Sequence, residues 1–265
     1  MASSEQDAAR RGGNYVDAGG VRTYYEVAGT GEPLVLLHGG FCTVETFGAQ
    51  TPELAEHYQV YVPERRGHGR TPDVEGPITY ENMAQDTIAF MEAVGVSLTH
   101  LVGWSDGAVV ALLVALHRPD LVGKLVLIGQ AMNHEGYLPE AKRQLETLTQ
   151  QDIPPMLREL YAPVSPDGPE HFGVVFDKLH QLWKTEPMIE LTELERVAAP
   201  TLILVADDDM GSTVEYAAAM QRALPDSQLA VVPGTSHAAL MEKPGLVNRL
   251  ILDFLEPEQV RKLLE

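Results

Sequence analysis

The stretch Gly103-Trp104-Ser105-Asp106-Gly107 decides which fold this chain is predicted to adopt. Its pattern, G-x-S-x-G, is typical of a tight strand-to-helix turn that exposes the central serine. Glycine is needed at both flanks because a Cβ there would collide with neighbouring backbone. An apolar strand is predicted over residues 99–103 and an apolar helix over residues 108–117, so both sides of the turn fit the pattern. The sequence therefore predicts that Ser105 is an exposed nucleophile.

Strands and helices alternate along most of the chain. Strands are predicted over residues 21–27, 34–37, 59–63, 99–103, 125–128, 201–205 and 229–232. The first alternates in polarity like an antiparallel edge strand, whereas the run 34–37 is apolar throughout, as in a parallel strand buried on both faces. Thr79 is predicted to cap a helix that Gly95 ends. This alternation predicts an α/β fold with a mostly parallel sheet covered by helices on both faces.

The alternation of strands and helices stops between residues 131 and 195, where no central strand is recognisable. Amphipathic helical pieces replace it, such as residues 170–184, in which Phe172, Phe176, Leu179 and Trp183 share one face. We therefore expect an α/β core over residues 1–130 and 196–265 and a helical cap over residues 131–195. Residues 1–13 are expected to be a polar, poorly ordered tail.

A serine hydroxyl needs a neighbouring base, and that base needs an orienting carboxylate. With this strand-turn-helix motif, the chain order is serine, then an acid, then histidine. Asp207, Asp208 and Asp209 follow the strand 201–205, and His237 follows the strand 229–232. Both candidates therefore come at the strand ends where open α/β sheets place their sites.

Further motifs resemble those of the α/β-hydrolase superfamily, and the match runs over about residues 21–255. They are His38-Gly39-Gly40 after a strand, the loop Arg66-Gly67-His68-Gly69-Arg70-Thr71, the serine turn, and Ser236-His237 ahead of Glu242-Lys243-Pro244. The resemblance implies the α/β-hydrolase fold with a helical cap insertion. It also implies Asp209 as the acid of a Ser105–His237–Asp209 triad, with Ala206 where the family usually has glycine. The oxyanion hole would be formed by the N–H groups of Gly40 and Asp106, with Phe41 as the adjacent alternative to Gly40.

Within the superfamily, the G-W-S-D-G wording resembles the biphenyl-hydrolase-like enzymes, the group of valacyclovir hydrolase. Those enzymes cleave amino-acid esters, and the aspartate after their nucleophile holds the substrate ammonium group. Asp106 occupies that position, although a carboxylate in the first turn of a helix is also favoured by the helix dipole alone. Phe41, Trp104 and Met132 are predicted to be the substrate-binding walls of the pocket.

Composition restricts the partners. The net charge of −19 disfavours nucleic acids and anionic membranes, and no apolar run is long enough to span a bilayer. The start of the chain lacks the apolar segment of a secretory signal, and a single cysteine fits a reducing, cytoplasmic setting. Cys42 is interpreted as a small buried hydrophobe because no base is predicted beside it. Neither a metal nor a cofactor is implied.

These residues predict a cofactor-free serine hydrolase that cleaves a carboxylic ester or lactone bond of a small molecule. A C–C bond hydrolase or a perhydrolase with the same triad is the alternative. Haloalkane dehalogenases and epoxide hydrolases have an aspartate at the centre of the turn, so Ser105 argues against them. A non-catalytic receptor on this fold is disfavoured because all three triad residues are present.

Overall fold

The computed structural model describes residues 13–256, within which one eight-stranded sheet forms the centre of the molecule. The strands are β1 (Gly13–Ala18), β2 (Val21–Ala28), β3 (Pro33–Leu37), β4 (Gln59–Pro63), β5 (Thr99–Trp104), β6 (Val122–Ile128), β7 (Thr201–Asp208) and β8 (Ser227–Ser236). Their order in the sheet is β1-β2-β4-β3-β5-β6-β7-β8. β1 and β2 run antiparallel to their neighbours, and β3 to β8 pair in parallel. The predicted mostly parallel sheet is confirmed.

One strand prediction needs correction. Residues 21–27 are antiparallel as expected, but they do not form the edge, because β1 pairs along their free side. β1 is short, and only Asn14 and Asp17 are exposed, but its apolar and polar residues do not alternate in the way that would reveal a strand. The expected tail, residues 1–13, lies outside the described residues except for Gly13, which begins β1.

Helices cover both faces of the sheet. They are α1 (Thr51–Leu54), α2 (Tyr80–Ala93), α3 (Asp106–His117), α4 (Pro139–Thr147), α5 (Pro155–Tyr161), α6 (Phe172–Thr185), α7 (Val214–Ala223), α8 (Ala239–Glu242) and α9 (Pro244–Leu255). α2, α3, α6 and α7 contribute to one apolar core, and α1, α8 and α9 contribute to a second core on the opposite face. Between residues 13 and 256, no helix is long and apolar enough to cross a membrane.

The chain between β6 and β7 contains α4, α5 and α6 together with short 3₁₀ turns. Among the described residues of this segment, the only β-pairing is an isolated bridge between Asn133 and Met188. On α6, Phe172, Phe176 and Leu179 are buried, while Trp183 is half-buried. The division of the chain into a core and a cap remains a prediction.

The serine turn joins β5 to α3 at close quarters. Ser105 has a φ of +56°, in the left-handed region that side chains other than glycine rarely adopt. A Cβ on Gly103 would lie 2.1 Å from the Gly107 carbonyl oxygen, and one on Gly107 would lie 1.9 Å from the Leu37 carbonyl oxygen. The Ser105 N–H donates to the Ile128 carbonyl on β6, at 2.9 Å. Only glycine at both flanks therefore lets α3 approach β3 and β5 this closely.

We expect Gly107→Ala to lower the free energy of unfolding by about 3 kcal/mol or more, because the new methyl group meets backbone that cannot move aside. Gly245→Ala is the matched control. Gly245 lies in α9 with open space around it, so its replacement is expected to be neutral or to stabilise by up to about 1 kcal/mol. Urea denaturation of both variants measures the difference. Equal stabilities would contradict the packing described for the turn.

Candidate active site

Three side chains from distant parts of the chain meet above the ends of β5, β7 and β8. The distance from His237 Nε2 to Ser105 Oγ is 3.0 Å, and that from His237 Nδ1 to Asp209 Oδ1 is 2.8 Å. The Asp209 side chain is 1 % exposed, whereas His237 is 27 % exposed. A carboxylate can only accept, so Nδ1–H donates to Asp209 and Nε2 is left to accept the Ser105 proton. The structure thus brings together the serine, base and acid that the sequence predicted.

The three adjacent aspartates have different surroundings. Asp207 and Asp208 were expected to follow the strand 201–205, but β7 runs through both, and their side chains are exposed. Asp209 follows the strand and turns inward, where its Oδ1 also accepts from the Gly211 N–H at 2.8 Å. Asp207 is not a free charge, because it accepts from the N–H groups of Gly234 and Thr235 at 2.8 and 3.2 Å. Asp207 therefore holds the end of β8 and, with it, the loop that begins at His237.

Two further side chains, Trp104 and Glu242, hold the chain around His237, and neither role was predicted from the sequence. The Trp104 Nε1–H donates to the His237 carbonyl at 2.9 Å, and the two rings pack at 5.5 Å. Glu242 accepts from the Ser236 N–H at 2.7 Å and from its hydroxyl at 2.6 Å. The histidine backbone is thus fixed from both sides.

The loop after β3 is held from beneath by His38 and Arg65, which are both buried. Burial, together with the Arg65 charge, holds the pKa of His38 well below its ordinary value, so the ring is neutral. His38 Nε2 accepts from the Arg65 N–H at 3.2 Å, which leaves Nδ1–H to donate to the Gly39 carbonyl at 2.8 Å. The Arg65 guanidinium donates to the carbonyls of His38 and Gly39. A role for Arg65 was missed because it depends on contacts to backbone, which leave no sequence pattern.

These contacts orient the first of the two N–H groups that the sequence predicted as oxyanion donors. In a trans peptide, C=O and N–H point in opposite directions. The Gly39 carbonyl is turned towards Arg65, so the Gly40 N–H points to the other side, and Gly40 lines the pocket. Asp106 is the first residue of α3, where an N–H has no acceptor within the helix. Phe41, the alternative donor, has a φ of +57°.

The Asp106 carboxylate is buried and already has two donors. The Tyr80 hydroxyl donates to Oδ1 at 2.7 Å. The Trp183 Nε1–H lies 2.9 Å from Oδ1 and 3.2 Å from Oδ2. Trp183 belongs to α6, so this contact joins the segment between β6 and β7 to the serine turn. The arrangement favours a positioning role for Asp106, in addition to its place at the helix N-terminus, over a free site for an ammonium group.

A cavity of about 850 Å³ opens over Ser105 and His237. Phe41 and Trp104 line it, as predicted for substrate-binding walls. Met132, the third predicted wall residue, does not line the cavity. Its side chain is fully buried in the core on one face of the sheet, and its carbonyl accepts from the Ile189 N–H at 2.9 Å.

The family model described as the alpha/beta hydrolase family matches residues 34–250 of this sequence. The chain belongs to this family. Among the described residues, no group of three or more His, Cys, Asp or Glu side chains is arranged to hold a metal ion.

Similar proteins agree with this assignment. The chain is 28 % identical to the human serine hydrolase BPHL, over 91 % of this chain and 85 % of that protein. It is 27 % identical to the 2-hydroxy-6-oxo-2,4-heptadienoate hydrolase of Pseudomonas putida, over 93 % and 97 % of the two chains. A solved thermophilic esterase from Thermogutta terrifontis matches with a TM-score of 0.74 and 26 % identity, over 92 % and 98 %. The predicted resemblance to biphenyl-hydrolase-like enzymes is confirmed, and the chain is a hydrolase.

The thiol of Cys42 lies in the pocket wall but is 2 % exposed, and burial raises its pKa to about 11. A thiol reacts as its thiolate, so we expect the folded protein to react with Ellman's reagent at pH 8 far more slowly than the protein unfolded in guanidinium. The unfolded sample is the control, and it should release one thiol per chain. Equal rates in the two states would contradict the described burial and reopen Cys42 as a nucleophile.

Proposed function

We propose that the protein is a serine hydrolase that cleaves a carboxylic ester or lactone of a small molecule through an acyl-enzyme on Ser105. The continuous hydrogen-bonded series from Ser105 Oγ through His237 to Asp209 carries this proposal. An alcohol becomes a useful nucleophile when a base can take its proton and an acid fixes the base in the correct tautomer. The proposed chemistry uses only side chains and backbone N–H groups of this chain.

The proposed reaction has two halves. Ser105 Oγ attacks the carbonyl carbon as its proton passes to His237 Nε2, and the oxyanion is stabilised by the N–H groups of Gly40 and Asp106. The alkoxide then leaves with the proton from His237. Water attacks the acyl-enzyme, again losing a proton to His237, and Ser105 recovers that proton as the acid departs. With a lactone, acid and alcohol stay joined, so the product is a hydroxy acid.

Cleavage of a C–C bond by the same residues is the second candidate, because the Pseudomonas putida relative bears such a substrate in its name. That substrate is a carboxylate. Among the described residues that line the cavity, none is Lys or Arg, and the two acidic ones are Asp106 and Asp152. Transfer of a carboxylate into such a cavity would be costly without a paired cation. The composition of the wall therefore supports an uncharged ester or lactone.

Ser105→Ala is expected to lower kcat/KM for 4-nitrophenyl butanoate by at least about 10⁴-fold, because the variant lacks the atom that forms the acyl-enzyme. The thermal transition should stay nearly unchanged. A fluorophosphonate followed by peptide mass spectrometry should label Ser105 in the wild type. Retained activity in Ser105→Ala, or a label on another residue, would end the proposal. Comparison of the wild type on esters, lactones and a dienoate C–C substrate separates the two candidates.

Asp209→Asn is expected to lower kcat by about 10²- to 10⁴-fold, because the amide no longer fixes the proton on His237 Nδ1. Asp208→Asn is the matched control: it is the neighbouring residue, exposed at the end of β7, and should change kcat less than twofold. Steady-state kinetics with the same ester measure both. Equal losses in the two variants would show that Asp209 has no special role.

A further inference from the structure

A polar pair, Gln130 and Tyr137, interrupts the otherwise largely apolar wall of the cavity. Both residues are 8 % exposed. The Gln130 amide nitrogen donates to the Ala131 carbonyl at 3.1 Å and to the Tyr137 hydroxyl at 2.6 Å. These two bonds fix which end of the amide is nitrogen and use both of its protons.

The same bonds leave one donor and one acceptor unused. The Tyr137 hydroxyl accepts from Gln130, but among the described residues it has no acceptor for its own proton. Gln130 Oε1 likewise accepts from no described residue. Burial and the nearby Asp106 charge raise the pKa of Tyr137, so the hydroxyl keeps its proton. Both residues line the cavity, and an unused donor or acceptor in a ligand cavity is a group that a ligand can satisfy.

Neighbouring contacts restrict the pair, which lines the same cavity as Ser105 and His237. Gln130 follows Gly129, where a Cβ would lie 2.9 Å from Asp209 Oδ2 and 3.4 Å from His237 Nδ1. The Tyr137 ring stacks on His134 at 5.3 Å, and His134 is itself hydrogen-bonded to the Glu186 carbonyl at 2.9 Å. Little rotamer freedom remains to be lost when a ligand binds.

We propose that Tyr137 and Gln130 form a subsite for an uncharged hydroxyl group on the substrate. This hydroxyl accepts a hydrogen bond from the Tyr137 hydroxyl and donates one to Gln130 Oε1. Within one amide group the oxygen lies about 2.2 Å from the nitrogen, so Oε1 is no more than about 5 Å from the tyrosine oxygen. One hydroxyl oxygen can bridge that gap. A trans secondary amide fits less well, because its N–H and C=O point to opposite sides. The subsite rests on the proposed function and narrows it to hydroxylated esters or lactones.

The test compares substrates that differ only by a hydroxyl. One pair is 4-nitrophenyl 3-hydroxybutanoate and 4-nitrophenyl butanoate, and the other places the hydroxyl on the alcohol, as 2-hydroxyethyl butanoate and ethyl butanoate. We expect kcat/KM to favour the hydroxylated member of at least one pair by about tenfold, the effect of two neutral hydrogen bonds. Tyr137→Phe should remove most of that preference, measured as the ratio of kcat/KM between the two members of a pair.

Two further variants exclude a purely structural effect. Gln130→Met, which lacks the acceptor, should also reduce the preference. Tyr216→Phe is the matched control, because Tyr216 is another buried tyrosine with an unpartnered hydroxyl but does not line the cavity. It should keep the wild-type preference. If neither pair shows a preference in the wild type, or if the preference survives Tyr137→Phe, the subsite is wrong.

A binding measurement separates this failure from failure of the proposed function. Wild-type protein that hydrolyses no ester would refute the proposed function. Calorimetric titration of Ser105→Ala with two pairs of amides, 3-hydroxybutanamide against butanamide and N-(2-hydroxyethyl)butanamide against N-ethylbutanamide, then decides the subsite alone. Tighter binding of the hydroxylated member of either pair, lost on adding Tyr137→Phe, supports it. Equal binding within both pairs overturns it.

Discussion

The close approach of α3 to β3 and β5 is the constraint on which the site depends. Gly103 and Gly107 meet backbone where any side chain would collide, and this contact holds Ser105 at a positive φ. A strained residue of this kind costs of order 1–3 kcal/mol and persists only when the surrounding structure fixes it. Here the surrounding structure is α3, buried on nearly every side, and the hydrogen bond from the Ser105 N–H to β6. Burial of apolar side chains in the core therefore offsets the free-energy cost of the strained Ser105 backbone.

The remaining parts of the site are held by polar contacts to backbone rather than by packing. Arg65 and His38 fix the carbonyl of Gly39, and Trp104, Asp207 and Glu242 fix the loop around His237. Backbone groups fixed in this way need no reorganisation when charge develops on a bound carbonyl, which is the physical requirement for an oxyanion hole. Each loop is thus positioned before substrate arrives.

Much of this arrangement could be predicted because it is written in local patterns. Apolar runs marked the strands of the parallel sheet. A capping threonine marked the start of the helix ahead of the serine turn, and the glycines marked the turn itself. The ends of those strands brought Ser105, Asp209 and His237 to one edge. β1 escaped notice because its apolar and polar residues do not alternate. Met132 was misplaced because its burial depends on packing in three dimensions, which no local pattern of the sequence shows.

The reacting side chains and part of the cavity wall come from different segments of the chain, which affects how its substrate range could change. Ser105, Asp209 and His237 all lie outside residues 131–195, whereas Tyr137 and Trp183 come from within them. Exchange of that segment would alter selectivity while leaving the reacting atoms on their original scaffold. One hydrogen bond limits such an exchange, because the Trp183 Nε1–H donates to the buried Asp106 carboxylate. Any transplanted segment must bring its own donor to that position.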